Sequence, residues 1–340
     1  MFRPAMTPLS IEVTRGSLVE SVHRAAVAVV DADDRLIAWS GDPALVTFWR
    51  SAAKPFQALP LIQDGAAERF GLGDEDLALA CASHSSEAGH LDGVDRFLAK
   101  IGVGEAALAC GPHVPLSAEV AREVVARGVA MTARWSNCSG KHAGMLAQAK
   151  HQGWPLEGYQ NAGHPLQDRI QAEVERWTGL NPGKLILAVD GCTTVCFGLP
   201  LRAMARGYAR FGVADTAAAR RLRRAMMAHP HLVAGSGRLC TELMRAWPGE
   251  IVAKIGAEGV YSAAIPSLGL GLAIKIEDGE TRSVGVALIE VVRQVLDRLG
   301  PGVLPVGALA SLGPHAAPAI ATTRGEVVGR IRPTGLLAFS

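Results

Sequence analysis

The chain of 340 residues is 49% hydrophobic and only 19% charged, which excludes a largely disordered protein and leaves room for one large domain or two modest ones. Its 34 basic and 32 acidic residues leave a net charge of +2, so nothing in the charge balance favours a nucleic-acid partner or an anionic membrane surface. The longest apolar runs are too short to span a membrane, and the first 16 residues lack the apolar core of a signal peptide. We therefore expect a soluble cytoplasmic protein with no membrane partner.

The N-terminal quarter begins with strands and then becomes helical. Residues 24–42 predict two strands joined by a turn at D-A-D-D. A helix is expected to begin near Ser51, with Ser51 as its cap and Pro55 in the first turn, where a missing N–H does little harm. Residues 76–90 predict a buried segment that runs into a polar loop, and a helix follows over about 87–101.

The middle of the chain, about 115–248, has the apolar periodicity of helices and is interrupted by one strand-like segment at 184–200. After residue 250 the pattern returns to strands, and E-D-G at 277–279 predicts a hairpin turn. A long helix over 282–300 and a strand near the C-terminus complete the pattern.

Strands at both ends of a helical middle predict an α/β fold in which one sheet is built from both termini around a helical insertion. We expect a single domain over residues 1–340. Its sheet-forming parts are predicted at about 10–85 and 250–340, and its largely helical part at about 86–249.

A serine and a lysine lie near the start of the first predicted helix. Ser51 and Lys54 are three residues apart, which places the hydroxyl and the amine on one helix face within hydrogen-bond reach. A neutral lysine there can accept the serine proton and generate a nucleophile. Such a pair arises easily by chance, but Lys254-Ile255-Gly256 supplies the K-x-G that accompanies S-x-x-K in penicillin-binding proteins and β-lactamases.

One motif of those enzymes is missing. No clear S-x-N or S-D-N is present, and the nearest hydroxyl-rich loop is A-S-H-S-S-E at 82–87. This departure argues against β-lactam chemistry.

Two cysteine motifs are candidates for a metal site. Cys138 and Lys141 are three apart in W-S-N-C-S-G-K-H-A-G-M, and Cys192 ends the separate motif D-G-C. Two thiolates from different loops can bind Zn²⁺, but two cysteines do not close a tetrahedral site, and lysine must lose its proton before it can bind a metal. By spacing alone, unrelated buried thiols are the favoured interpretation.

Taken together, the motifs resemble the asparaginase II family, typified by a rhizobial L-asparaginase. In chain order they are R-S-A-A-K-P-F-Q, A-S-H-S-S-E, S-N-C-S-G-K-H-A-G-M, G-H-P-L-Q, V-D-G-C, H-P followed by V-A-G-S-G-R, and A-K-I-G-A-E-G. The resemblance covers nearly the whole chain. It implies the fold of penicillin-binding proteins, β-lactamases and glutaminases, hydrolysis of L-asparagine to L-aspartate and ammonia, and a homodimer.

The resemblance also implies roles for particular residues. Carried over motif by motif, it makes Ser51 the nucleophile with Lys54 as its base, and sets Ser83 with Lys254 beside them as a second pair. The implied zinc site consists of Cys138, Lys141 and Cys192, with water completing the coordination shell.

A free amino-acid substrate carries a carboxylate and an ammonium group, so its pocket needs a cation and an anion. Arg50, next to the nucleophile, suits the carboxylate by a bidentate contact, and Asp190, before the zinc cysteine, suits the ammonium. Asn137 and His142 are further candidates for the pocket or for contact with the metal ligands.

Two other functions stay open. A glutaminase or another S-x-x-K serine hydrolase would share the serine and lysine, and a non-catalytic zinc-binding protein would use Ser51 only as a helix cap. The second alternative leaves the match of Ser83 and Lys254 without an explanation.

Overall fold

The computed structural model describes residues 8–303 and 308–340 and begins with strands. The first four strands are β1 Ser10–Arg15, β2 Leu18–Asp31, β3 Leu36–Ser40 and β4 Val46–Phe48. The predicted strand–turn–strand at 24–42 is confirmed. Its turn is closed by the Asp31 carboxylate, which accepts hydrogen bonds from the backbone N–H groups of Asp33 and Arg35 at 3.0 and 2.8 Å.

A 3₁₀ turn at Arg50–Ala53 leads into the first helix of a long helical segment. The helices there are α1 Lys54–Gln63, α2 Ala66–Arg69, α3 Asp74–Ala80, α4 Ala88–Ile101, α5 Ala118–Arg127, α6 Ser139–Gln152 and α7 Pro165–Thr178. The N-cap of α1 is Ala53, which has no side-chain cap, so the prediction that Ser51 caps this helix is wrong. Pro55 does lie in the first turn, as predicted.

The strand-like interruption is a short hairpin followed by further helices. These elements are β5 Ile186–Val189, β6 Val195–Pro200, α8 Leu201–Val213, α9 Ala217–Ala228, α10 Pro230–Val233 and α11 Leu239–Ala246. The hairpin turn is closed by Asp190, whose N–H donates to the Thr194 carbonyl and whose carbonyl accepts from Thr193, both at 2.8 Å. It places Cys192 in the middle of the turn.

The C-terminal part returns to strands around one long helix. Its elements are β7 Val252–Ile255, β8 Val260–Ile265, β9 Leu270–Ile276, α12 Thr281–Leu299, α13 Ala308–Ser311, α14 Gly313–Ala316, β10 Ala319–Ala321, β11 Val327–Thr334 and β12 Ala338–Phe339. The hairpin predicted at E-D-G is wrong. Asp278 accepts from the N–H of Glu280, and Glu280 caps α12 by accepting from the Arg282 N–H, so the turn starts a helix instead.

The chain divides into two compact units. The first unit contains the described residues up to Ala52, Leu199–Val213 and Ala246–Ser340, and the second contains Ala53–Gly198 and Ala214–Arg245.

One antiparallel sheet dominates the first unit. Its strand order is β10-β11-β1-β2-β9-β8-β7, and β3 pairs with β2 and β12. The N-terminal strands therefore lie between C-terminal ones, which confirms the predicted α/β class with a sheet built from both termini. Helix α8 packs directly on this sheet at Gly271, where an added Cβ would lie 2.1 Å from the Ala205 carbonyl oxygen.

The second unit is a helical assembly around α6. Every residue of α6 from Ser139 to Ala149 is buried, so this helix is covered on all sides. It approaches the end of α3 closely, since a Cβ at Gly140 would lie 2.3 Å from the Leu79 carbonyl oxygen. Helix α1 packs against α6, α7 and α9, and its residues from Lys54 to Leu61 are buried. The two lysines of the predicted motifs on α1 and α6 therefore lie in the interior of this unit.

Within the described residues, no helix combines the length and the apolar character needed to cross a bilayer.

Candidate active site

Lys54 lies at the centre of the candidate site in the second unit. Its side chain is 1% exposed, and Nζ donates hydrogen bonds to Ser83 Oγ at 3.0 Å and to the Ala82 carbonyl oxygen. Nζ also lies 3.1 Å from Cys138 Sγ. The fold thereby joins three motifs that are far apart in the sequence, namely those of Lys54, Ser83 and Cys138.

A second buried lysine lies on α6. Lys141 Nζ donates to Cys192 Sγ at 2.9 Å and to Thr194 Oγ1 at 2.6 Å. Cys138, at the N-cap of α6, lies beside Cys192 as well, and its Sγ is 3.0 Å from Asn137 Oδ1. The three predicted zinc ligands therefore lie together, although the two cysteines are on separate segments.

The charges in this cluster differ between the two thiols. The hydrogen bond from Cys138 holds the pKa of Cys192 well below its usual value, although burial acts in the opposite direction, and the positive charge of Lys141 assists. The same hydrogen bond, together with burial, raises the pKa of Cys138. Burial lowers the pKa of Lys141, but the charge of Cys192 beside it outweighs burial and raises the pKa overall. Lys141 and Cys138 therefore both favour a negative charge on Cys192.

The donor atoms fit the predicted zinc site in composition. In the described part of the chain, no three His, Cys, Asp or Glu side chains are grouped so that they could hold a metal ion. A metal at this position therefore needs the Lys141 nitrogen beside the sulfurs of Cys138 and Cys192. Two sulfurs and one nitrogen leave a fourth tetrahedral position for water, provided that Lys141 loses its proton on binding.

All six cysteines of the chain are buried, and no disulfide joins any two of them. Burial raises the pKa of Cys110 to about 11, so this thiol is unreactive at neutral pH.

His142 and Asn137 both lie beside the thiol–lysine cluster, as the sequence predicted. His142 is fully buried, its Nδ1 is 2.6 Å from the Tyr159 hydroxyl, and burial lowers its pKa. The Tyr159 hydroxyl accepts in turn from the Ala109 N–H at 3.0 Å. These two contacts of the Tyr159 hydroxyl fix the orientation of the His142 imidazole.

Asp190 is half-buried in the turn between β5 and β6. Its Oδ1 accepts from the Gly191 N–H at 2.7 Å, and its negative charge contributes to the raised pKa of Lys141. This carboxylate, two residues before Cys192, therefore lies at the edge of the cluster.

Three predicted site residues belong to the first unit, and the structure places their segments side by side. The Trp49 indole donates to Ser262 Oγ at 3.0 Å, and Ser262 is the register partner of Lys254 across β7 and β8. Ser51 and Arg50 follow Trp49 directly and are half-buried, whereas Lys254 is fully buried with Nζ donating to the Ile255 carbonyl at 2.9 Å. Because Ser83 is bonded to Lys54 in the second unit, its pairing with Lys254 stays a prediction.

Backbone strain occurs in the predicted motifs. Arg50, Ser86 and Thr193 have φ values of +53°, +58° and +79°, a region that residues with a side chain rarely adopt. Each lies within three residues of Ser51, Ser83 or Cys192, respectively. Such strain persists where the surroundings over-determine the backbone, which occurs often at functional sites.

Sequence reasoning missed Thr194 and Glu87. Thr194 is fully buried and holds the Lys141 amine, and its position directly after D-G-C in a pair of threonines was the available signal. Glu87 ends A-S-H-S-S-E, but its partners come from residues 231–236, so no local spacing indicated its role.

The family model described as L-asparaginase II matches residues 11–333, which include parts of both compact units. No curated protein matches the chain.

Solved structures with similarity to the chain include a putative β-lactamase from Bacteroides dorei DSM 17855, at 11% identity and a TM-score of 0.41, with 79% of this chain and 93% of that chain covered. A β-lactamase from Mycobacterium bovis is similar at 12% identity and a TM-score of 0.33, covering 81% and 95%. The octameric penicillin-binding protein homologue from Pyrococcus abyssi is similar at 13% identity and a TM-score of 0.32, covering 79% and 73%. At these identities the likenesses assign no activity and no residue role to this chain.

Proposed function

Because the chain belongs to the L-asparaginase II family, we propose that it hydrolyses L-asparagine to L-aspartate and ammonia by serine–lysine chemistry. The observation that supports this chemistry most directly is the buried Lys54, whose Nζ is held 3.0 Å from Ser83 Oγ. A buried lysine beside a serine hydroxyl is the arrangement that an amine base requires.

In the proposed reaction, Ser51 Oγ attacks the side-chain amide carbon of asparagine. Lys54, in its neutral form, takes the serine proton and gives it to the departing nitrogen, which leaves as ammonia. Water then attacks the aspartyl ester, and L-aspartate is released as Ser51 regains its proton. Ser83 orients the Lys54 amine through their hydrogen bond, and Lys254 assists as the second lysine.

The substrate's own charges suggest how it is bound. We propose that Arg50 contacts the α-carboxylate in a bidentate manner and that Asp190 contacts the α-ammonium. Asn137 and His142, beside Cys138 and Cys192, are proposed to contact the substrate or the metal ligands.

We also propose that the protein is of the rhizobial, zinc-binding type and that Cys138, Lys141 and Cys192 hold the ion. Zinc at this point supplies a positive charge that polarises or organises the polar groups of a bound substrate. The chain holds the Lys141 amine 2.9 Å from Cys192 Sγ, and Cys138 lies beside that sulfur.

The two compact units are proposed to belong to one functional domain, since the family match extends over both. A cytoplasmic homodimer is the proposed working form, and light scattering during gel filtration measures its mass.

The deciding experiment measures ammonia release from L-asparagine and from L-glutamine by the wild type and by the S51A, K54A and S83A variants, with and without added zinc. We expect release from L-asparagine that S51A and K54A abolish. Near-wild-type turnover by S51A would remove Ser51 as the nucleophile, and an aspartyl adduct on a tryptic peptide identifies the serine that is acylated.

The same measurements separate the alternatives. Faster release from L-glutamine indicates a glutaminase. Zinc binding without any ammonia release indicates a non-catalytic zinc-binding protein.

A further inference from the structure

Residues 83–87 form a loop whose alternate residues bind two different segments. On one side, the Ser83 N–H donates to the Val233 carbonyl at 2.9 Å, and the Ser85 hydroxyl donates to the Ala234 carbonyl at 2.9 Å. Glu87, two residues further on, binds Ser236. Residues 83, 85 and 87 therefore all attach to residues 233–236, Ser83 through its backbone N–H and the other two through their side chains.

The residues between them attach to the segment that carries Cys138. The His84 N–H donates to the Asn137 carbonyl at 3.1 Å, and His84 Nε2 is 2.8 Å from Ser139 Oγ. The Ser86 hydroxyl donates to the Trp135 carbonyl at 2.9 Å. A displacement of the loop therefore moves Ser83 relative to both of its neighbours, Lys54 and the start of α6.

Glu87 is the charged anchor of this arrangement. Its carboxylate accepts from the Ser236 N–H, from the Ser236 hydroxyl and from His231 Nε2, each at 2.8 Å. Burial acts to raise the pKa of Glu87, but the hydrogen bonds from Ser236 and His231 lower it overall, so the side chain is a carboxylate at neutral pH. Hydrogen bonds to a charged acceptor are about twice as strong as those between neutral groups.

Three stacked imidazoles, those of His231, His90 and His84, connect Glu87 to the residue that follows Ser83. The rings of His84 and His90 are stacked at 5.2 Å, and those of His90 and His231 at 5.0 Å. His90 Nδ1 accepts from the Glu87 N–H at 3.2 Å, and its Nε2 donates to the His231 carbonyl at 2.9 Å. Burial lowers the pKa of both His84 and His90, so these two rings are neutral and pack without charge repulsion.

We propose that Glu87 is a positioning residue for Ser83, which it holds against Lys54 by anchoring the loop to Ser236 and His231. The proposal rests on the proposed function, in which Ser83 orients the amine of Lys54. In this proposal, the motif V-A-G-S-G-R at 233–238 provides the backbone groups and the Ser236 side chain that hold the loop in place.

The test compares Glu87→Gln with Glu119→Gln, a control at an exposed glutamate on α5. An amide nitrogen cannot accept from His231, so we expect Glu87→Gln to lower kcat about 10- to 100-fold while KM changes less than about threefold. Ser236→Ala should lower kcat by a smaller factor, and Ser236→Thr, which keeps the hydroxyl, should restore it. Glu119→Gln should match the wild type in both constants.

Hydrogen exchange measured by mass spectrometry gives a readout that needs no substrate. In Glu87→Gln the peptide containing residues 83–87 should exchange faster, because the Ser83 N–H loses its fixed acceptor at Val233. A peptide from β8 and the same loop peptide in Glu119→Gln should exchange as in the wild type.

The outcomes separate the two proposals. A wild type that releases no ammonia refutes the proposed function, and the exchange result then decides the anchoring role by itself. Unchanged exchange in Glu87→Gln overturns the inference, and so does faster exchange with an unchanged kcat. If circular dichroism shows that Glu87→Gln is unfolded, the Ser236→Ala and Ser236→Thr pair decides by the same two measurements.

Discussion

Replacing Gly235 by alanine should destabilise the protein more than the same change at Gly237, two residues away in the same loop. Gly235 has a φ of +126°, and a Cβ there would lie 2.6 Å from Ser85 Oγ and 2.7 Å from Glu87 Oε1. Gly237 has a φ of +65°, but its Cβ would meet no atom within 4 Å. The two sites therefore differ in steric overlap with the loop that carries Ser83, and also in backbone strain, since a φ of +126° lies outside the left-handed region that side chains can adopt.

The expected size comes from two contributions. A strained φ in a residue with a side chain costs about 1–3 kcal/mol, and both variants incur such a cost. Overlap in a packed site adds about 1–3 kcal/mol, and only Gly235→Ala incurs it. For a chain of 340 residues, an unfolding entropy of about 2.1 cal/mol/K per residue converts each kcal/mol into roughly 1.4 °C of melting temperature.

Differential scanning calorimetry measures this difference. We expect the melting temperature of Gly235→Ala to lie about 1–4 °C below that of Gly237→Ala, because of the overlap with Ser85 and Glu87. Equal melting temperatures of the two variants would refute the steric reasoning and the close packing of residues 233–238 against the loop.

Three further predictions concern the cluster and its surroundings. Lys54→Met should reduce ammonia release at least 100-fold by removing the amine base, whereas Lys184→Met, at an exposed position, should leave it unchanged. Cys192→Ser should lower the zinc content measured by atomic emission to about a tenth or less, and full occupancy in this variant contradicts the ligand assignment. Burial holds the pKa of His84 well below its usual value, so the unfolded chain binds a proton there that the folded chain does not. Stability should therefore fall as the pH drops below about 6.5, and His84→Gln should weaken this dependence in melting curves at successive pH values.

Local pattern was sufficient for much of the fold. The turn at D-A-D-D and the helix predicted over 87–101 agree with β2, β3 and α4 because turn residues and apolar periodicity act within a few neighbours. The hairpin prediction at E-D-G was wrong, because local pattern identifies a turn but not the element that follows it. Glu280 caps α12, so the chain continues from this turn as a helix and not as a strand.

The candidate site was only partly accessible to sequence reasoning. The residue types of Lys54, Ser83, Cys138, Lys141 and Cys192 were identified from motifs, and the structure brings all five into the second unit with hydrogen bonds linking Lys54 to Ser83 and Lys141 to Cys192. The partner of Lys54 was not accessible, because Ser83 is 29 residues away and no spacing rule connects a helix start to a distant loop.

By itself, the sequence predicted most of the helices and strands and the motifs that carry the candidate site residues. Hydrophobic period, turn residues and local motifs are properties of the chain that do not depend on contacts. Only the tertiary structure decided that Lys54 bonds to Ser83, that Glu87 is anchored by Ser236 and His231, and that Thr194 holds Lys141. These contacts depend on which segments pack together when the buried helices α1 and α6 cover their apolar faces. A buried polar group then needs a hydrogen-bond partner, and the packing determines which group lies near enough to be that partner.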